Sequence, residues 1–577
     1  MQLFLRRISF FLEALLNGSY ILLFTLNQNK KIPHRILSEE QIQSYLDIGA
    51  YIVPIVILVV LIINYLKSEN LQDFLRKYVF SLIVFVPLLL TLGDQEFSYW
   101  LVTVHLFSSF LSLYEIDQNK TKDVQTVMEA TFLYKLKMRP AQFVILSFIG
   151  LILFGTVLLI LPVASPPGKS LSLIDALFMS TSAVCVTGLA SVSVADQLSL
   201  FGQLVLLALI QMGGLGIMTL YSSMTIFLGK NMAMRHRVVM QDVLDIGSMA
   251  DLITMIVNIL KYTFFIELWG VVVLTIGFSF EGYEFGQALY FGFFHAISAF
   301  CNAGFGLLNN SLESYASSPL ISGTISVLII LGGLGFIVLK EIKQTVVERK
   351  PYHTMTVHSR LAINTTFILI TIGAFYIFFS EYMHGLDSFD LLDKIQVAFF
   401  QSVTTRTAGF NSVGLNSFYS HTLYFMCILM FIGGSPGSTA GGIKTTTFAI
   451  LIQSVRSTLR GRPHVEFFKR KVPSQLVVTS TSIVIISLMM ISFFLLVIMK
   501  VETQQTFLTL FFESISAFGT VGLSLGLTPY LTVAGKLVII TLMYIGRVGP
   551  LTLALAIGQK SSIQGALEYP ETKIMIG

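Results

Sequence analysis

Four stretches of the sequence repeat one design: TSAVCVTGL around Gly188, ISAFCNAGF around Gly304, VTTRTAGF around Gly409 and ISAFGTVGL around Gly522. In each, a short helical segment bearing Ser or Thr runs into one glycine between two long apolar segments. Internal repetition constrains a fold more than any single motif, because one supersecondary unit has to serve several times over. A fourfold unit of this kind is the pattern expected of a single-chain ion pore.

Composition sets the solvent. Hydrophobic residues make up 54% of the 577 and charged residues 12%, about half the roughly 25% charged of a soluble domain. Apolar runs of membrane-crossing length recur throughout. The expected class is an all-α polytopic membrane protein built from helices of about 20 residues. The net charge of +5 gives no sign of nucleic-acid binding, because Lys and Arg are few and sit in short loops, where they report orientation. Cys185, Cys301 and Cys427 have no paired spacing, so neither a disulfide framework nor a zinc site is expected. At the N-terminus, Arg6 and Arg7 precede an apolar run resembling a twin-arginine signal. Glu13 interrupts that run and no small-residue cleavage site follows, so it reads as a first membrane segment.

Residues 1–140 hold four apolar stretches, near 8–26, 46–66, 78–92 and 97–113, read as up to four accessory transmembrane helices. The last carries no regular arginine spacing, which argues against a voltage sensor. Four helix–pore-loop–helix repeats around one central pore follow, over 141–230, 231–348, 349–472 and 473–577. Their outer helices are expected to begin near Phe143, Leu252, Leu361 and Val477, and their inner helices near Ser199, Leu320, Thr422 and Leu531. The short segment between spans about half a membrane crossing.

Each inner helix carries a second glycine cluster. The clusters begin at Gly213, Gly332, Gly433 and Gly546, which lie 25, 28, 24 and 24 residues beyond the four motif glycines. Close helix packing is the expected role at Gly213 and Gly332. The loops joining repeats are basic, with Lys230, Arg235 and Arg237, then Lys340, Lys343, Arg349, Lys350 and Arg360, then a run from Arg456 to Lys471. The motif side holds only Lys169, Lys394, Arg406, Lys500 and Lys536. The positive-inside rule therefore turns the motifs outward.

A cation in a narrow passage exchanges its water for oxygens, and backbone carbonyls supply rings of them where no side chain intrudes. Thr520, Val521 and Gly522 read TVG, the start of the potassium-channel TVGYG filter. The other units are Val186-Thr187-Gly188, Asn302-Ala303-Gly304 and Thr407-Ala408-Gly409, and a K+ ion would meet the carbonyls around their glycines. One glycine per unit predicts a shorter stack of sites and weaker K+ selectivity than TVGYG. Asp175, His295, Gln401 and Glu513 fall within the short helices. Bracing of the loop is the expected role of His295 and Gln401, and attraction of cations is a secondary possibility for Asp175 and Glu513.

The third inner helix is interrupted by Gly433, Gly434, Ser435, Pro436, Gly437, Ser438, Thr439, Ala440, Gly441 and Gly442, with Lys444 just beyond. Irregular backbone at membrane depth is tolerated where it is buried in protein or lines a watery cavity, so this loop is a candidate gate. Arg547 interrupts the fourth inner helix in the slot held by Gly214 and Gly333. An intramembrane arginine marks an ion pathway by default. Its expected partners are carbonyls of the loop over residues 433–442.

From about residue 141 onward the chain resembles the Trk/Ktr/HKT superfamily of potassium transporters, on SVTTRTAGFNSVGL, AISAFCNAGF, GGSPGSTAGGIKTTT and the fourfold arrangement. The resemblance implies that Gly188, Gly304, Gly409 and Gly522 form the selectivity filter. It further implies that the broken third inner helix is the intramembrane gate and that Arg547 is its basic partner. Glycine rather than serine in the first repeat then favours K+ over Na+. A homodimer with one pore per subunit is implied too, in lipid, with a bacterial inner (plasma) membrane location. So is control by a TrkA/KtrA-like cytosolic nucleotide-binding ring subunit. No strand-preceded GxGxxG is present, so any nucleotide acts through that partner. The four accessory stretches exceed what the Trk and Ktr branches carry.

Other classes fit less well. No H-E-x-x-H motif or nucleophile–base–orienter set supports an enzyme. A Na+- or H+-coupled symporter using the same filter is the alternative, although symporters usually break their spans in a symmetry-related pair.

Overall fold

The computed structural model describes residues 17–20, 39–66, 102, 140–166, 170–216, 249–346, 348–550 and 552. The chain divides into two units, residues 1–138 with 160–171 and residues 139–159 with 172–577. In the first, helix α1 (Glu39–Leu66) carries a candidate span over Gln41–Val59. It matches the second accessory stretch; the third lies outside the described residues, as do the first and fourth apart from residues 17–20 and 102.

The second unit contains all four helix–short helix–helix units. The first is α2 (Pro140–Ile160), α3 (Leu173–Val184) and α4 (Leu200–Leu215). The second is α5 (Met249–Phe280), α6 (Phe285–Phe300) and α7 (Pro319–Leu334), continued by α8 (Phe336–Val346). The third is α9 (Val357–Glu381), α10 (Leu391–Thr404) and α11 (Ser420–Phe431), with α12 (Thr445–Leu459) after the glycine-rich loop. The fourth is α13 (Ser474–Val501), α14 (Phe507–Gly519) and α15 (Val533–Val548). Helix starts are chemically marked. Ser172 accepts from the Asp175 N–H at 3.1 Å and Thr532 from the Gly535 N–H at 3.1 Å, each satisfying an otherwise orphaned first-turn donor.

Polarity is arranged inside out. Phe264, Phe265 and Trp269 on α5, Phe367 and Phe375 on α9, and Met489 and Phe493 on α13 are exposed, while Ser182, Ser298, Gln401 and Ser516 are buried. Exposed aromatic and aliphatic side chains along Ile256–Phe280, Val357–Glu381 and Ser474–Val501 fit a lipid surround, since each is long and apolar enough to cross.

The units adjoin in cyclic order. Gln211 of the first donates to Glu267 of the second at 3.0 Å, and Gln396 of the third donates to Ser322 of the second at 2.6 Å. Phe431 of the third stacks on Phe518 of the fourth. The circle closes where Lys536 of the fourth meets Asp175 of the first at 2.6 Å and Tyr544 donates to the Ile145 carbonyl at 2.9 Å.

One feature differs from the sequence reading. The second inner helix is also broken, with α7 and α8 meeting at 110°. The cause is Gly335 at φ +94°, matched by Gly216 at +80° and Gly549 at +90°, which end the first and fourth inner helices; an L side chain does not tolerate that backbone. The fold is otherwise helical, with one minimal β-ladder among the described residues. Within the basic stretch, β1 (Glu466–Phe467) pairs antiparallel with β2 (Arg470–Lys471).

Candidate functional site

The four short helices end alike. In three of them the residue two before the motif glycine is left-handed and the next N–H reaches back to a helix carbonyl. Val186 (φ +56°), Asn302 (+60°) and Thr520 (+50°) are followed by the Thr187, Ala303 and Val521 N–H groups, each 2.8 Å from the carbonyl of Ser182, Ser298 or Ser516. This is the Schellman helix end, without the glycine that usually makes it. Thr407 (φ +69°) is left-handed too, but there the Ala408 N–H reaches back one residue less, to the Thr404 carbonyl at 3.0 Å. The motif glycines are positive again, at +92°, +68°, +80° and +92°, with a residue of ordinary hand between. Alternating hands flip successive peptide planes, so neighbouring carbonyls face one side. β-branched residues in this region are strained, a cost of about 1–3 kcal/mol each.

The serines and threonines of the motif brace the turn. Ser182 and Ser516 accept from the N–H of Gly188 and Gly522 at 3.1 Å. Ser298 and Thr404 instead donate to the carbonyls of Phe305 and Phe410 at 2.7 and 2.6 Å.

The four glycines meet in a closed ring. A Cβ on Gly188 would strike the Ala303 carbonyl, on Gly304 that of Ala408, on Gly409 that of Val521, and on Gly522 that of Thr187. Glycine is thus required twice at each position, for its φ and for the neighbour's approach. Of the residues expected from sequence, the four glycines and the residues just before them, Thr187, Ala303, Ala408 and Val521, meet here, and the hydroxyls of Thr187, Thr407 and Thr520 are buried without a hydrogen-bond partner. The C-terminal ends of α3, α6, α10 and α14 lead into the ring, directing their partial negative charge towards it.

The second glycine series packs these helix ends. Gly213, Gly332 and Gly546 lie so close to the carbonyls of Val184, Phe300 and Phe518 that no Cβ fits, bearing out the packing expectation for Gly213 and Gly332.

The loop of the third unit docks on the break in the second. Ser435 and Thr439 donate backbone N–H bonds to the Gly333 and Gly332 carbonyls at 2.9 and 3.3 Å, and the Phe336 N–H donates to Gly437 at 3.0 Å. The break leaves helix-end groups unpaired, and the loop supplies partners for three of them. Thr439 Oγ1 also donates to the Phe300 carbonyl at 3.2 Å, and Lys444 Nζ to Ala440 at 2.7 Å. Gly441 lies against the side chain of Thr520, directly beside the ring. Arg547 donates through Nη1 to the Thr439 carbonyl and through Nη2 to that of Gly213.

The remaining polar residues have structural partners. His295 Nδ1 pairs with the Phe291 carbonyl at 2.8 Å, and Gln401 donates to Asn411 at 2.7 Å. Asp175 is neutralised by Lys536. Glu513 accepts from Ser524 and Thr528, holding the segment after Gly522. Cys301 donates to Gln211 at 3.2 Å, and all three cysteines are free and buried. Three further residues did not stand out in sequence. Arg406, assigned to the outer side by its loop position, is only 6% exposed and donates to the Gly433 carbonyl at 2.8 Å. Glu267 sits within a span on Gln211. Glu313 accepts from Asn411 at 3.2 Å, and partial burial pushes its carboxyl above the ordinary value, the Asn411 bond opposing. Only a tertiary fold exposes these pairings, which join distant segments.

An inside-out helical bundle with four short helices leading into one glycine ring is the frame of a membrane transport protein. The family model of TrkH, cation transport protein, matches residues 127–563, and the chain belongs to that family. It is 37% identical over 444 residues to the Ktr system potassium uptake protein B of Bacillus subtilis, covering 77% of this chain and 98% of that one. It is 38% identical over 450 residues to the potassium/sodium uptake protein NtpJ of Enterococcus hirae, covering 76% and 98%. The crystal structure of the potassium transporter TrkH from Vibrio parahaemolyticus superposes with a TM-score of 0.61 at 20% identity, covering 84% of this chain and 97% of that one, a likeness of fold.

Proposed function

We propose that this chain is the membrane pore subunit of a potassium uptake system, conducting K+ through the ring of Gly188, Gly304, Gly409 and Gly522. The observation that carries the reading is the closed ring itself, in which every glycine abuts the carbonyl before the next. Backbone oxygens there replace the ion's water, and the four helix ends lower the energy of a cation at the centre. Relatives named as potassium uptake proteins support K+ as the ion.

The loop over residues 433–442 is the gate. It lies against Thr520 beside the ring and is fastened by Arg547, whose charge opposes cations on that side of the glycines. A homodimer in a bacterial inner membrane, regulated by a TrkA/KtrA-like nucleotide-binding ring subunit, completes the proposal. It rests on family resemblance, with the basic segments after each repeat as docking surfaces.

Symport coupled to Na+ or H+ through the same ring is the second reading. Glu267, a carboxylate within the span Ile256–Phe280 bonded to Gln211, favours it, because intramembrane acids often carry coupling ions. Rubidium uptake into proteoliposomes, with and without a sodium or proton gradient, separates the two. Conduction predicts uptake without either gradient; uptake that vanishes without one assigns symport. No protein-dependent uptake under any condition sinks both.

A further inference from the structure

Among the described residues, the hollow on the outer side of the glycine ring has one ionisable side chain in its wall. It measures about 400 Å³ and is lined by the segments that follow the four glycines, with the amides of Asn309, Asn310, Asn411 and Asn416 among them. Among the described residues of that lining, Glu313 is the sole Asp, Glu, Lys, Arg or His.

Glu313 is held there. It opens the 3-10 turn Glu313–Tyr315, and its Oε1 accepts from Asn411 Nδ2 at 3.2 Å. Asn411 stands two residues beyond Gly409, donates its N–H to Ser311 Oγ at 3.0 Å, and accepts at its carbonyl from the Leu312 N–H at 2.8 Å. The carboxylate is thereby strapped to the third glycine segment. No Lys, Arg or His stands beside it in the lining among the described residues, and low-dielectric walls concentrate its field within the hollow.

We infer that Glu313 makes the hollow an outer alkali-cation site, where a hydrated monovalent cation is held by this carboxylate and neighbouring amide oxygens before it sheds water at the ring. The inference rests on the ring being the cation pathway. One uncompensated charge within several ångströms of the ion raises its local concentration about two- to fivefold at low salt. The effect fades as the screening length falls from about 30 Å at 0.01 M to about 3 Å at 1 M.

Rubidium uptake by proteoliposomes of wild type, Glu313→Gln and Glu313→Asp tests this at those two ionic strengths, set with N-methylglucamine chloride. Gln keeps an acceptor for Asn411 and removes only the charge. At low ionic strength Glu313→Gln should raise the half-saturating rubidium concentration about two- to fivefold with unchanged maximal velocity, while Glu313→Asp stays near wild type. At high ionic strength the three curves should coincide. Equal half-saturation of Glu313→Gln and wild type at low ionic strength overturns the site. So does a loss of maximal velocity that is the same at both salts, which would make Glu313 a structural strap. Wild type without protein-dependent uptake instead overturns the pathway reading, and this inference with it.

Discussion

Arg547, in the last turn of the fourth inner helix, donates to the backbone carbonyl of Thr439, 108 positions earlier in the loop of the third unit. The same guanidinium reaches Gly213 in the first unit, and Thr439 itself bonds Phe300 in the second. One contact thus ties together all four repeats beside the glycine ring.

Arg547→Ala removes the fastening and the charge. Uptake velocity should rise severalfold, at a cost in stability of about 1–3 kcal/mol from the carbonyls left bare. Rubidium flux into vesicles measures the first and thermal unfolding in detergent the second. Unchanged flux would end the gate assignment.

Gly335 is where the second inner helix breaks to receive the loop. A Cβ there meets the Pro436 carbonyl at 2.7 Å on a backbone at φ +94°. Gly335→Ala should loosen the loop and raise basal flux, with a strain of about 1–3 kcal/mol. The control is Gly323→Ala, on the same helix, where a Cβ meets nothing within 4 Å and flux should not change.

Gly304→Ser puts a Cβ 2.6 Å from the Ala408 carbonyl. The ring must shift at that point, so discrimination should suffer more than folding. The rubidium-to-sodium permeability ratio is expected to fall about tenfold, equivalent to about 1.4 kcal/mol; bi-ionic reversal potentials read it directly.

Lys536 and Asp175 close the circle of repeats, with side chains 11% and 19% exposed. Lys536→Met or Asp175→Asn alone should each lower stability by about 1–3 kcal/mol, because a mostly buried charge loses its partner. The double variant should cost less than the sum, with a coupling of about 0.5–3 kcal/mol. Additive melting shifts would mean that the pair does not pin α3 to α15.

Helix placement was legible because apolar length and the glycine period are written along the chain: the observed outer helices begin within a few residues of Phe143, Leu252, Leu361 and Val477. The Ser and Thr of the motif were visible too, but their bracing bonds were not, since two accept and two donate. Val186 and Thr520 gave no sign of left-handed backbone. β-branched residues avoid it on their own, and the helix-end bonds together with the ring packing hold them there. The break at Gly335 hid for a related reason. A glycine can end a helix or pack within one, and here it ends the helix where the loop from another repeat supplies the hydrogen bonds.

From its sequence alone, this chain determines a helical fold of the membrane-protein class, four glycine units set between long helices and an arginine within the fourth inner helix, because hydropathy and repetition are local properties. Tertiary structure decides which carbonyl each glycine abuts, that Arg406 turns to Gly433, that Arg547 spans from Thr439 to Gly213, and that, among the described residues, Glu313 is the one charge lining the hollow beside the ring. Those are relations between distant segments, and only the closing of the circle brings their partners within hydrogen-bonding or Coulomb range.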